Sequence, residues 1–186
     1  VVIEKLVVNL SCDPFNPAKN FDVAVQYEKD NQTASAVSFY LRTIEYGYDT
    51  HPLLVYASLL KLAHCFNDQK DRAHTVSNAF LQAIAYIPGR PEAYFLYSRF
   101  HERAQNWQEC YTFACLGMAT YGDSRLPVDV GYDGYFCLAF EKAVSAYWIG
   151  RRDESLEIFT RLNALDLPTE YSNAIRANLE KLNASV

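Results

Sequence analysis

Apolar side chains recur every three to four residues along most of this chain, which is the period of a helix with one buried face. In FDVAVQYEKDNQTASAVSFYLRTIE, Phe21, Ala24, Val25 and Tyr27–Glu28 follow that spacing. KDNQT then interrupts it, and Ala36, Val37, Tyr40, Leu41 and Ile44 resume it. The stretch predicts two helices joined by a tight turn, with the Thr33 hydroxyl capping the second. The pattern returns as LLVYASLLKLAHCF with AHTVSNAFLQAIAYIP, PEAYFLYSRFHERA with WQECYTFACLGMATYG, and GYFCLAFEKAVSAYWIG with RDESLEIFTRLNALDLP. TEYSNAIRANLEKLN supplies a closing helix. About nine helices are predicted, and strand signal is confined to residues 1–8.

The pairs can be set in register. Small residues at Ala36, Thr75, Cys110 and Ser155 mark where a second helix must approach its first closely. Tyr40, Ala79, Ala114 and Phe159 follow one turn later and fill the space between pairs. The recurrence lies near the roughly 34-residue tetratricopeptide period, with insertions. Trp107 and Gly150 fall near turns. The reading is all-α: a right-handed superhelical stack of antiparallel helix pairs in one domain, 1–186. The repeats span roughly 17–50, 53–88, 91–121 and 136–168, with the closing helix at 169–184.

PGRPEAYFLYSRF reads mainly as helix punctuation. Pro88 ends one helix because its ring and missing N–H cannot continue the ladder. Pro91 suits the first turn of the next, and Glu92 sits favourably at a positive helix end. Ala93, Tyr94, Tyr97 and Ser98 are predicted to face inward. The longest irregular stretch, YGDSRLPVDVGYDGY, carries Asp123, Arg125, Asp129 and Asp133 and reads as an insertion covering one edge.

RPEAYFLYSRFHERAQNWQECYTFACLGM resembles the tetratricopeptide-like region of some bacterial and phage glycosyltransferase polypeptides. NFDVAVQYEKDNQTASAVSFYLRTIE and FEKAVSAYWIGRRDESLEIF are similar to other parts of that region, notably in marine tailed phages and their hosts. The resemblance spans roughly residues 13 to 183. In that family, sugar transfer belongs to a separate α/β nucleotide-sugar domain, which this sequence lacks. The Asp-x-Asp metal motif is also missing: VDV around Asp129 has one acid. The resemblance implies an accessory helical module and carries over no catalytic residue.

Half of the 186 residues are hydrophobic and 15% aromatic, so a sizeable core is available. A net charge of -5 argues against nucleic acid as a partner. No apolar run has the length of a membrane span, and Glu4 and Lys5 break the N-terminal apolar stretch as a signal peptide. Five cysteines without CxxC spacing fit reduced thiols in a cytoplasmic setting, with a virion as the other location considered. No glycine-rich phosphate loop and no nucleophile elbow is present. His64 and Cys65 are adjacent and would point apart on a helix, so they do not form a metal pair. No cofactor is expected.

What remains is a surface. In this register the first helices of each pair line a concave groove, whose positions include Val25, Glu28, Lys61, His64, Asn67, Phe95, Arg99, Glu102 and Tyr147. Phe95 and Tyr147 are the expected anchors and Arg99 the charge partner for a protein or attached domain. A structural phage component with self-association is the alternative function.

Overall fold

The computed structural model describes residues 2–122 and 125–184. Asp123, one acid of the irregular stretch, lies outside them. Among the described residues the chain is all-α, with ten helices and no strand: α1 (Val2–Ser11), α2 (Pro17–Lys29), α3 (Thr33–Gly47), α4 (Pro52–Asp68), α5 (Ala73–Tyr86), α6 (Pro91–Arg103), α7 (Trp107–Met118), α8 (Tyr135–Trp148), α9 (Arg152–Asn163) and α10 (Thr169–Ala184). They fall into two compact units. One comprises Val1–Gly89 with Gly122–Val130, and the other Arg90–Tyr121 with Gly131–Val186.

The strand signal of residues 1–8 gives way to helix α1. Its β-branched residues suit a strand, but Ile3, Leu6 and Leu10 repeat at helical spacing, and these are its more buried positions. Packing of that stripe onto α2 outweighs local propensity.

Three intra-pair turns are built alike. Asn31, Gln105 and Gly150 adopt left-handed backbone, at φ 56°, 59° and 83°. In each, the next residue's N–H reaches back over the helix end: Gln32 to the Tyr27 carbonyl at 2.8 Å, Asn106 to His101 at 2.9 Å and Arg151 to Ala146 at 2.8 Å. This satisfies carbonyls that a helix end leaves unpaired and reverses the chain in the fewest residues. The α4–α5 turn differs. Lys70 and Asp71 are both left-handed, and the connection is one residue longer.

That extra residue shifts the register of the second repeat. The close-approach position there is Val76, 1% exposed, while Thr75 is half-buried. Phe80 correspondingly takes the filling role beside Ala79, and both are buried. Elsewhere the expected positions hold. Ala36, Cys110 and Ser155 have no exposed surface, and neither do Ala24, Ser98 and Ala143 on the partner helices. Ser155 Oγ donates to the Ala143 carbonyl at 2.7 Å, so α9 touches the α8 backbone directly. Tyr40 and Phe159 are buried one turn on, each worth roughly 2–3 kcal/mol of apolar burial.

Two local expectations change. Thr33 is the first helical residue of α3 and makes no side-chain cap, because Gln32 occupies the capping position. Leu41 is 50% exposed, and Thr43 is buried in its place, donating to the Phe39 carbonyl at 3.0 Å. A spacing of four then three residues aligns Ala36, Tyr40 and Thr43 on one stripe, which Leu41 misses.

In the second unit, α7, α8 and α9 are tied by charge. Lys142 Nζ lies 2.8 Å from Glu154, which also accepts from Tyr111 Oη at 3.0 Å. The Arg151 guanidinium sits 4.7 Å from the Tyr111 ring centre. Helix α10 covers the end of this unit, where Ile175 and Leu182 pack with Ala139, Ala143, Phe159 and Leu162.

Gly117 marks a tight crossing. A Cβ there would stand 2.7 Å from both Leu138 Cδ2 and Tyr94 Cβ. Gly117→Ala is expected to destabilise the chain by about 2 kcal/mol in urea unfolding, the usual cost of overpacking. Gly89→Ala, where a Cβ meets nothing within 4 Å, should change stability by less than about 0.5 kcal/mol. Equal effects would remove the claim that close approach limits this crossing.

Candidate functional site

The sequence-predicted residues divide between the units. In the first, α2 and α4 carry Val25, Glu28, Lys61, His64 and Asn67. Glu28 is not free. It accepts hydrogen bonds from Tyr40 Oη at 2.5 Å and Lys61 Nζ at 3.0 Å, and so joins α2 to α3 and α4. Burial, reinforced by Glu28, pushes the Tyr40 phenol far above its ordinary range. The Cys65 thiol is pushed up to about 12 by burial first and Glu28 second. His64 and Asn67 remain exposed, and His64 Nδ1 lies 3.1 Å from Asp68 Oδ2. Cys65 beside His64 has no exposed surface, so the two point apart as expected.

The second unit presents α6 and α8. Phe95 departs from its expected role. It has no exposed surface, with the Tyr132 ring centred 5.4 Å away and the Arg99 guanidinium 5.6 Å from its own centre. In this conformation it is a packing residue rather than an exposed anchor, because the segment before α8 folds over it. Arg99 stays 40% exposed and Glu102 is half-buried. Tyr147 is exposed and meets Trp148 edge-on at 5.3 Å. Trp148 in turn stacks on Trp107 at 5.2 Å. Beside this aromatic group, a cleft of about 290 Å³ opens between α8, α9 and α10, bordered by Val144, Phe159, Asn178 and Lys181.

PGRPEAY is helix punctuation with something added. Arg90 takes the N-cap position and Pro91 the first turn. Arg90 and Glu92, 6% and 7% exposed, form a two-pronged ion pair in which Nε donates to Oε2 at 3.1 Å and NH2 contacts Oε1. Both charges are removed from water and matched locally, so the pair fixes the entry to α6.

Sequence reasoning missed Glu141. It is 4% exposed on α8, and Arg99 Nε is 3.7 Å from its Oε1, beyond hydrogen-bond reach. Its Oε2 has no hydrogen-bond partner among the described residues. Burial pushes its carboxyl up to about 8; Arg99 works against this and Glu102 with it. A glutamate inside the apolar run FCLAFEKAVSAYW was the signal available. His101 is also buried, with both ring nitrogens unpartnered and the ring parallel to Phe113 at 5.7 Å. Burial lowers its pKa, so it packs as a neutral aromatic.

Cys65, Cys110 and Cys137 are buried, Cys115 is half-buried and Cys12 exposed, and none of the five is in a disulfide. Among the described residues, no group of three or more His, Cys, Asp or Glu is placed to hold a metal ion. None of their helices is long and apolar enough to cross a membrane.

No family model matches the sequence, and no curated protein matches it. Solved structures do. PilF of Pseudomonas aeruginosa superposes with a TM-score of 0.68 at 11% identity, over 91% of this chain and 68% of that one. Cut9 in the Cut9–Hcn1 hetero-tetramer of the APC/C gives 0.64 at 15% identity, over 98% of this chain and 34% of that one. The nearly identical TPR-like repeats of a Podosopora anserina protein give 0.62 at 16%, over 91% and 89%. The fold is that of tetratricopeptide-like repeats. At these identities the likeness speaks for the fold alone, and the expected glycosyltransferase and phage resemblance finds no support in it.

Glu141 has a clear thermodynamic signature. Its folded-state pKa lies above the ordinary 4.5, so the folded chain keeps a proton that the unfolded chain releases. Its contribution to stability therefore falls as pH rises from about 4.5 to about 8. Glu141→Gln should raise the unfolding free energy at pH 8.5 by on the order of 3 kcal/mol, with little effect at pH 4. Thermal melts at the two pH values test this, and a gain of equal size at both would contradict it.

Proposed function

We propose that this chain is a non-catalytic protein-interaction module. It holds a segment of a partner protein, or of an attached domain such as the glycosyltransferase of the sequence resemblance, against its first helices. The observation that carries the reading is the character of those faces. His64 and Asn67 on α4, and Arg99 and Glu102 on α6, offer polar and charged contacts on rigid helices. Tyr147 and Trp148 on α8 add exposed aromatic area. Interfaces draw most of their energy from such aromatic and arginine positions. The fold occurs in a solved hetero-tetramer, Cut9–Hcn1, which agrees with this use.

Peptides selected from a display library against the purified chain provide the test. Photo-crosslinking groups placed at Asn67 in the first unit, and separately at Glu102 in the second, should each capture selected peptides. The same groups at Leu41 and Thr160, exposed on second helices, should not. His64→Ala combined with Asn67→Ala should weaken a peptide captured at Asn67 by about tenfold, near 1.4 kcal/mol. Capture only from the second-helix positions would sink the proposal.

A further inference from the structure

Glu141 is a buried acid with a vacancy in its hydrogen bonding. The charged and titratable groups around it come from three helices. Arg99, Glu102 and Arg103 face it from α6, Cys110 from α7 and Tyr171 from α10. None supplies a donor to Oε2. Its own helix does not either, since Ser145 Oγ donates to the Glu141 carbonyl at 2.7 Å and not to the carboxyl. Cys110 Sγ likewise approaches that carbonyl, at 3.9 Å. A buried carboxylate oxygen left unpaired costs more than an ordinary hydrogen bond returns.

Arg99 is a poor resident partner. It stands 3.7 Å away, through Nε alone, with its side chain 40% exposed. The same guanidinium rests over the Phe95 ring, which gives it a second home. The site thus holds Arg99 loosely, beside a buried carboxyl whose Oε2 has no hydrogen-bond donor.

We propose that a basic side chain of the partner, lysine or arginine, displaces Arg99 from Oε1 of Glu141 and supplies the donor that Oε2 lacks, with Glu102 as the second carboxylate. This rests on the reading of the first-helix faces as the interaction surface, and it names the chemistry of the partner there. The net charge of -5 favours a basic partner on approach. The displaced Arg99, already 40% exposed, turns outward.

The proposal has a proton signature. A cation pairs with the ionised carboxylate, and burial keeps Glu141 protonated up to about pH 8. Binding therefore expels a proton. Affinity rises by up to about tenfold per pH unit below 8 and levels above it. A contact with a permanently ionised surface acid would show no such slope.

Hexalysine amide, with hexaserine and hexaglutamate as comparisons, tests this on the full chain. Glutamate carboxyls labelled with carbon-13 report Glu141 directly by NMR. Saturating hexalysine should lower the Glu141 midpoint by at least one pH unit, and hexaserine should leave it in place. Hexalysine affinity should rise about tenfold between pH 6.5 and 7.5. Glu141→Gln should abolish that slope, whereas Glu157→Gln, at an exposed acid paired with Arg161, should retain it. Arg99→Gln removes the resident cation and should tighten hexalysine binding severalfold; it carries the test if Glu141→Gln does not fold. A Glu141 midpoint unmoved by bound hexalysine would overturn the proposal, as would a slope that survives Glu141→Gln. A larger response to hexaglutamate would also overturn it and would indicate an acidic partner. If library peptides still crosslink at Asn67 and Glu102 while hexalysine leaves Glu141 unmoved, the basic partner is excluded and the interaction surface stands.

Discussion

Close approach between the two helices of each pair is the constraint on which the rest of this structure depends. Two helices can cross at short distance only where neither carries a bulky side chain. Ala24, Ala36, Ser98, Cys110, Ala143 and Ser155 have no exposed surface, and Ser155 Oγ donates to the Ala143 carbonyl across one pair. A left-handed residue just before the second helix sets its phase, so that the small residue meets the crossing. Lengthen the turn by one residue, as at Lys70 and Asp71, and the crossing moves to Val76. The left-handed conformation costs about 1 kcal/mol at a residue other than glycine, and Gln105 accepts that cost to keep the pair in phase.

Buried and half-buried polar groups in these units follow two rules. Glu28 and the Arg90–Glu92 pair are matched by donors, so they brace the helices they touch. Glu141 and His101 are not matched, and both are driven by burial toward their neutral forms. Their effects on stability run in opposite directions with pH. The glutamate weakens the fold as pH rises toward about 8. The histidine, its pKa lowered, weakens the fold as pH falls below its ordinary 6.5. Unmatched groups of this kind carry a stability cost, and they stand out where function is sought. Glu141 is itself buried and lies beside Arg99, whose side chain is 40% exposed. His101 is enclosed by Tyr97, Phe100 and Phe113 and serves packing.

The sequence by itself determined helices α2 to α10, their pairing and most of their limits. Apolar spacing, Pro91 at a helix start and Gly150 in a turn are local signals, and local chemistry decides them. The stripe Ala93, Tyr94, Tyr97 and Ser98 was legible for the same reason, and all four are buried. What tertiary structure decided is which side of each helix is shared and what covers it. Helix α1 had to find α2 before its Ile3–Leu6–Leu10 stripe outweighed its strand-like composition. Phe95 looked like an anchor until Tyr132, distant in sequence, folded onto it. Glu28 looked like a free groove acid until Lys61 and Tyr40 arrived from two other helices. The state of Glu141 is of this kind too, since its pKa and its missing donor follow from burial among side chains on α6, α7 and α10. Burial is a property of assembled helices, and no periodicity within one of them records it.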